Sequence, residues 1–332
     1  MIAVDADVLG RRRTGDETYV ERLLAHISDA APDLRFAAIT RRPELVPAPV
    51  EPIELTTRLQ EVRMAWSVPR LLRRLRPQLA HFVHALPLSC PCPAVLTIAD
   101  LSFERDASLM GRRETAVFRL VVPRSVRRAA RVLTVSERTK RDLIELYDLP
   151  PEKIAVTPLG HDDAFTPDGE RDTYLLFVGA IERRKDPMTA LTAARALGRP
   201  LVVAGPAKDA ALARELASGG AELRGYVGKE ELVGLYRGAA CLLFPTRYEG
   251  FGLPVLEAMA TGTPVVATPD PAVQEVAGDA AVYADRADFA DAVRRALDER
   301  DRLRAAGLER ARGFSWAETA RLTAQAYREV LS

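Results

Sequence analysis

Cysteine is scarce: three in 332 residues, an odd number, which excludes a disulfide framework as the main staple of so long a chain. Long apolar runs are missing too, and none approaches the roughly 18 residues that a membrane-spanning helix needs. The N-terminus, MIAVDADVLG, lacks the basic start and long apolar stretch of a secretory leader, so a cytoplasmic location is expected. Net charge is +1, and bulk charge therefore points to no nucleic-acid partner. Lysine supplies only five of the 47 basic residues, which reads as a GC-rich bacterial coding bias. No GxGxxG follows an expected strand, which counts against a dehydrogenase.

What is present is α/β alternation. With 48% apolar residues and a length near twice the usual domain, two cores are expected. Strand-like runs in the first half are IAVD, LRFAAIT, LAHFVH, AVLTIA, RVLTV and KIAVT, with helical patterns ETYVERLLAHI, VPRLLRRL, Arg112 to Arg128 and ERTKRDLIELY between them. The pattern restarts with YLLFVGA, PLVVAGP, AELRGYV, CLLFP, PVVAT and AAVY. The fold class predicted is α/β, two Rossmann-like doubly wound parallel sheets facing each other across a cleft. The Gly-, Pro- and Asp-rich stretch Pro158 to Asp172 reads as the linker.

Two loops carry the chemistry. EGFGLPVLE, Glu249 to Glu257, cannot be one helix, because Gly250 and Gly252 each cost about 1 kcal/mol in a helix interior and Pro254 suits only a first turn. It reads as strand, glycine loop, helix, with the amides near Gly252 and Leu253 forming an anion site at a helix N-terminus. Glu249 and Glu257 flank that site, as hydroxyl acceptors would for a sugar nucleotide. GAIERRKDP places Arg183, Arg184 and Lys185 after another strand of the same sheet, so cations and helix terminus can meet on one diphosphate.

These residues resemble the retaining glycosyltransferases of family 4, which have the two-domain GT-B fold: EGFGLPVLE matches the EX7E motif and GAIERRKD the donor-phosphate loop. TIADLSF, LTVSERTKRDL, EKIAVTPLGHDDAF and FSWAETARLTAQAYREVL extend the resemblance over most of the chain. It implies an acceptor-side domain over 1–165, a nucleotide-sugar domain over 166–313, and a C-terminal helix, 314–332, packed back on the first domain. It also implies Glu249 on sugar hydroxyls, Glu257 on ribose hydroxyls, Lys185 and Arg184 on the diphosphate, and the Phe251, Gly252 and Leu253 backbone on phosphate and sugar. Gly15 falls in the first-domain loop that approaches the donor, and His84 and Asp100 go to the acceptor cleft. The expected activity is metal-independent hexose transfer with no cofactor, from a nucleotide sugar to a glycan, lipid-linked or small-molecule hydroxyl. GDP-mannose is the first donor suggested.

The sequence departs from the family at two places. TIADL has Ala99 where TIHDL is usual, and TGDETY has Asp16 and Glu17 where TGIGRY carries a second glycine. The alternatives are therefore a nucleotide-sugar epimerase, disfavoured by the absence of histidine from the second domain, and a noncatalytic sugar-nucleotide-binding subunit. His81, His84, Cys90 and Cys92 fit no zinc spacing, and Asp5-Ala6-Asp7, at a strand end, is not expected to hold metal. Residues 58–141 carry seventeen basic against six acidic residues. That stretch reads either as solvated helix faces or as a peripheral contact with anionic lipid at the inner membrane face. Lys208, remote from both loops in sequence, is the natural control for charge loss.

Overall fold

The computed structural model describes residues 1–11, 14–106, 111–169 and 174–332; residues 170–172 of the expected linker lie outside them. Two units emerge, residues 1–160 with 316–332, and residues 161–315. The first is a seven-stranded parallel sheet of β1 (Ile2–Asp5), β2 (Phe36–Thr40), β3 (Glu51–Glu54), β4 (Leu79–Val83), β5 (Ala94–Ile98), β6 (Arg131–Thr134) and β7 (Ile154–Val156), ordered 3-2-1-4-5-6-7. The second holds β8 (Tyr174–Val178), β9 (Leu201–Ala204), β10 (Glu222–Gly225), β11 (Ala239–Phe244), β12 (Val265–Ala267) and β13 (Ala281–Tyr283), ordered 10-9-8-11-12-13. Both are doubly wound. Chain order reverses between β1 and β4 in one unit and between β8 and β11 in the other, the points where such sheets open to ligands.

Helices cover the sheets. The first unit has α1 (Thr14–Ala30), α2 (Val68–Leu75), α3 (Arg112–Arg128) and α4 (Glu137–Tyr147). The second has α5 (Pro187–Ala196), α6 (Ala210–Ser218), α7 (Lys229–Gly238), α8 (Leu253–Ala260), α9 (Pro271–Ala277), α10 (Phe289–Asp298) and α11 (Arg300–Ala311). Parallel strands lose both faces to helices, which is why LAHFV, AVLTI, LVVA and AACLLF are almost wholly buried and legible as continuous apolar runs. Sequence reasoning missed β3. Its residues, EPIE, are mostly exposed and include Pro52, a composition tolerated only at a sheet edge.

The last helix, α12 (Trp316–Leu331), groups with the first unit and lies against α1. Thr319 Oγ1 donates to Pro158 O at 2.6 Å, and Arg328 pairs with Asp33 at 2.6 Å. A buried polar chain completes the attachment. His81 Nδ1 meets Tyr327 Oη at 2.6 Å, His81 Nε2 meets Thr97 Oγ1 at 2.7 Å, and Tyr19 Oη meets the same Thr97 hydroxyl at 2.9 Å. Burial pushes the His81 pKa down to about 3, so the imidazole is neutral and serves this network. Both ring nitrogens are engaged by hydroxyls, which leaves His81 no metal-ligating role.

Candidate functional site

The two loops singled out in the sequence follow adjacent strands. β8 and β11 pair in parallel, with Leu176 opposite Leu242, so GAIERRKDP and the loop leading into EGFG leave the same sheet end at the switch point. Their backbones are joined directly by Arg247 N donating to Arg184 O at 2.8 Å. Gly179 and Gly205, with φ of +150° and +147°, let β8 and β9 end in close approach there.

Three expected site residues meet at this junction. Lys185 Nζ donates to Glu249 Oε1, and Arg184 Nη1 lies 3.7 Å from the same oxygen. Thr246 Oγ1 donates to Glu249 Oε1 at 2.8 Å, and Glu249 N donates to Asp270 Oδ2 at 3.2 Å. Asp270 also caps α9 through Ala272 N at 2.9 Å. Arg184 is fixed by Tyr248 O at 2.9 Å and Glu182 Oε1 at 3.0 Å. Lys185 has 11% of its side chain exposed and lies 5.3 Å from the centroid of the Phe244 ring. Burial lowers its pKa, and the Glu249 carboxylate opposes that shift.

Gly252 precedes α8 at φ +105°, a left-handed turn that favours glycine. Pro254 has no N–H, and Val255 N is already closed onto Gly252 O at 2.9 Å, so the amides of Phe251 to Leu253 form the helix mouth. The Phe251 ring is buried edge-on against Phe314, 5.9 Å between centroids. One turn along, Glu257 is 9% exposed and accepts from Tyr236 Oη at 2.8 Å. Burial raises its pKa to about 7. A carboxyl raised from 4.5 to about 7 on folding contributes stability that is complete below pH 4.5 and lost as pH rises through 7. At about 1.4 kcal/mol per pH unit the loss amounts to roughly 2–4 kcal/mol. Glu257→Gln is expected to flatten urea-denaturation stability across that window; an unchanged slope would assign the titration to another group.

The first unit holds the remaining expected residues. Gly15 lies in the first turn of α1, and a Cβ built there meets nothing within 4 Å. His84 follows β4 at φ +64°, with Nε2 3.0 Å from Asp16 Oδ1. Glu17 Oε1 accepts from Gly10 N at 2.7 Å, so both acids that replace the family's loop residues have local partners. Asp100 Oδ1 accepts from Ser102 N at 3.0 Å and Ser102 Oγ at 2.8 Å, committing one oxygen to that turn. Asp5 and Asp7 are held by arginines: Arg63 grips Asp5 at 2.5 and 3.0 Å, and Arg41 and Arg11 pair with Asp7. Guanidinium groups occupy those carboxylates, a setting opposed to cation binding.

One expectation needs correction. Lys208, remote from both loops in sequence, is close to them in space, since its Nζ lies 3.1 Å from Glu182, the carboxylate that also holds Arg184. Residues 166–313 hold no histidine, while His161, just ahead of that range, groups with the second unit and bridges to Ser315. Sequence reasoning also missed Tyr236, Thr246, Glu182 and Asp270. Asp270 before Pro271 reads as a helix N-cap, but its bond to Glu249 N leaves no mark in the sequence.

Comparisons with known proteins agree with this architecture. Residues 13–165 match the model described as Glycosyltransferase Family 4, and residues 172–299 match Glycosyl transferases group 1. O-antigen chain mannosyltransferase B of Escherichia coli is 30% identical over 266 residues, covering 71% of this chain and 70% of that protein. D-inositol 3-phosphate glycosyltransferase of Nocardia farcinica is 31% identical over 296 residues, covering 78% of this chain and 62% of that one. Sucrose-phosphate synthase of Thermosynechococcus elongatus superposes with a TM-score of 0.77 at 19% identity, over 99% of this chain and 98% of that one. The chain therefore belongs to glycosyltransferase family 4 and is a glycosyltransferase of GT-B fold.

Proposed function

We propose that the chain transfers a hexose from a nucleotide sugar to a hydroxyl of a glycan, a lipid-linked sugar or a small molecule, with retention at the anomeric carbon. The observation that carries this reading is the lacing of the Arg184–Lys185 loop to the Glu249 loop at one switch point, beside the N-terminus of α8. Lys185, Arg184 and the α8 amides receive the diphosphate, Glu249 the sugar hydroxyls and Glu257 the ribose. Cations and N–H donors suit a departing diphosphate, whereas carboxylates accept from paired hydroxyls. Gly15 supports the reading as well, since neither left-handed backbone nor crowding within the chain demands glycine there, while a ligand approaching the backbone would. His84 and Asp100 serve the acceptor side.

The name of the E. coli relative supports mannose as the first sugar to try, and we take GDP-mannose as its donor. That of the Nocardia relative supports a small polyol among the acceptors. No side-chain base is required: a donor phosphate oxygen on the face of the incoming hydroxyl takes its proton as the glycosidic bond breaks. Ala99, which stands where the family usually has histidine, fits that route.

Turnover is expected to survive EDTA, because Lys185, Arg184 and the helix terminus neutralise the leaving group. Proton NMR of the same product is expected to show the donor's anomeric configuration. Strict Mn²⁺ or Mg²⁺ dependence, inversion, or conversion of the nucleotide sugar without acceptor would contradict the proposal.

A further inference from the structure

Of eight large apolar side chains exposed among the described residues, six fall in one part of the first unit: Leu59 (67%), Val62 (44%), Trp66 (76%), Leu88 (74%), Val117 (51%) and Leu120 (56%). The segments that carry them are stitched together. Leu88 N donates to Met64 O at 3.0 Å, and Arg73 donates to Ser89 Oγ at 3.3 Å, tying the loop after β4 to the Trp66 turn and α2. On its other side that loop is tied to α3, with Leu86 N donating to Ser125 Oγ at 3.0 Å and Arg128 to Pro87 O at 3.2 Å.

Arginine accompanies these apolar groups along the chain. Residues 58–76 carry five exposed arginines and one acid, Arg63 being buried against Asp5, and residues 112–128 contain six arginines and one acid. α2 buries Val68, Pro69, Leu71 and Leu72 and exposes Arg70, Arg73 and Arg74. On α3, Val117, Leu120 and Arg124 follow at helical spacing along the exposed side, opposite buried Val122, Ser125 and Val126.

We infer that this face docks on an anionic phospholipid bilayer. A bilayer surface offers negative headgroups to the arginines and an apolar interior to Trp66, Leu88 and Leu120, and tryptophan favours that boundary. A second copy of the chain would bring arginine against arginine. Nucleic acid would match the charge but leave aliphatic Leu59, Leu88, Val117 and Leu120 uncovered. No helix among the described residues is long and apolar enough to cross a membrane, so the contact is peripheral. The inference deepens the proposed function by naming a lipid-borne acceptor, although the docking itself does not depend on transfer.

The chain carries its own reporter, because its other tryptophan, Trp316, is 3% exposed and Trp66 dominates any change in emission. The full chain is titrated with vesicles of phosphatidylglycerol and phosphatidylcholine, and with phosphatidylcholine alone. Binding to the anionic vesicles is expected to be at least about tenfold tighter, to blue-shift Trp66 emission and to weaken with salt. Trp66→Ser with Leu88→Ser, and separately Arg73→Glu with Arg74→Glu, are each expected to abolish sedimentation with vesicles while leaving nucleotide-sugar thermal shifts unchanged. Absent binding, binding indifferent to these variants, or Trp66 emission already blue-shifted in a vesicle-free dimer would overturn docking and leave the transfer proposal standing. Vesicle binding without response to any nucleotide sugar would do the reverse.

Discussion

Lys185→Ala is expected to lower kcat by about 10²- to 10³-fold, roughly 3–4 kcal/mol, by analogy with loss of one oxyanion donor. Donor affinity is expected to fall much less. As the glycosidic bond breaks, charge grows on the diphosphate, and a cation held beside it stabilises that late charge more than the ground state. The structure adds a reason for Glu249 to matter in the same step. Its carboxylate, itself bonded by Thr246, accepts from the buried Lys185 ammonium, holds it in place and opposes the lowering of its pKa by burial. Removing Glu249 would leave Glu182 as the carboxylate still opposing burial and Arg184 at Lys185, and would push the Lys185 pKa further down. Glu257→Ala is expected to raise donor Kd with a smaller change in kcat, because ribose hydroxyls alter little during reaction. The comparison variant is Arg294→Ala, an exposed α10 arginine paired with Asp291, since Lys208 is wired into the site. Steady-state kinetics with calorimetric donor binding make the test. Equal effects of Lys185→Ala and Arg294→Ala in folded proteins would refute the assignment.

Gly205→Ala is expected to destabilise the protein by about 3 kcal/mol or more, in the range of overpacking combined with backbone strain. A Cβ at Gly205 would lie 2.0 Å from Gly179 O and 2.5 Å from Gly179 C, backbone atoms that no rotamer change can move. Its φ of +147° adds strain for any L side chain. Gly225→Ala separates the two terms: its φ is +67° but no atom lies within 4 Å of the added Cβ, so strain of about 1–2 kcal/mol remains. Urea unfolding of both variants checks the ordering. Gly179 begins the loop that ends in Lys185, so Gly205→Ala is also expected to reduce kcat in whatever fraction stays folded. Equal stabilities of the two variants would contradict the close approach of β8 and β9.

Much of the fold was legible because buried parallel strands are short apolar runs, most of them followed by helical periodicity. YLLFV, LVVA and AACLLF show this in one unit, FAAIT and AVLTI in the other. The edge strand EPIE was not legible, since one exposed strand with a proline carries no burial pattern. The meeting of the two loops of the candidate site was legible for another reason: glycine, proline and charge at fixed offsets mark a strand–loop–helix turn wherever they occur. What escaped was contact between distant segments. Tyr236 reaches Glu257 across 21 residues, Asp270 reaches Glu249 N across 21, and Lys208 closes on Glu182, none with local periodicity. The same holds for His81, which the sequence offered as a ligand type and the fold uses to fasten α12.

The central claim is that the junction of the Lys185 and Glu249 loops is a nucleotide-sugar site. Isothermal titration of the full chain with a panel of nucleoside diphosphate sugars, with the matching monophosphates as controls, tests it most directly. At least one nucleotide sugar is expected to bind, its monophosphate to bind at least about tenfold more weakly for want of the second phosphate, and Glu257→Ala to weaken the diphosphate sugar. Absence of binding across the panel, or binding untouched by both the missing phosphate and the missing carboxylate, would contradict it.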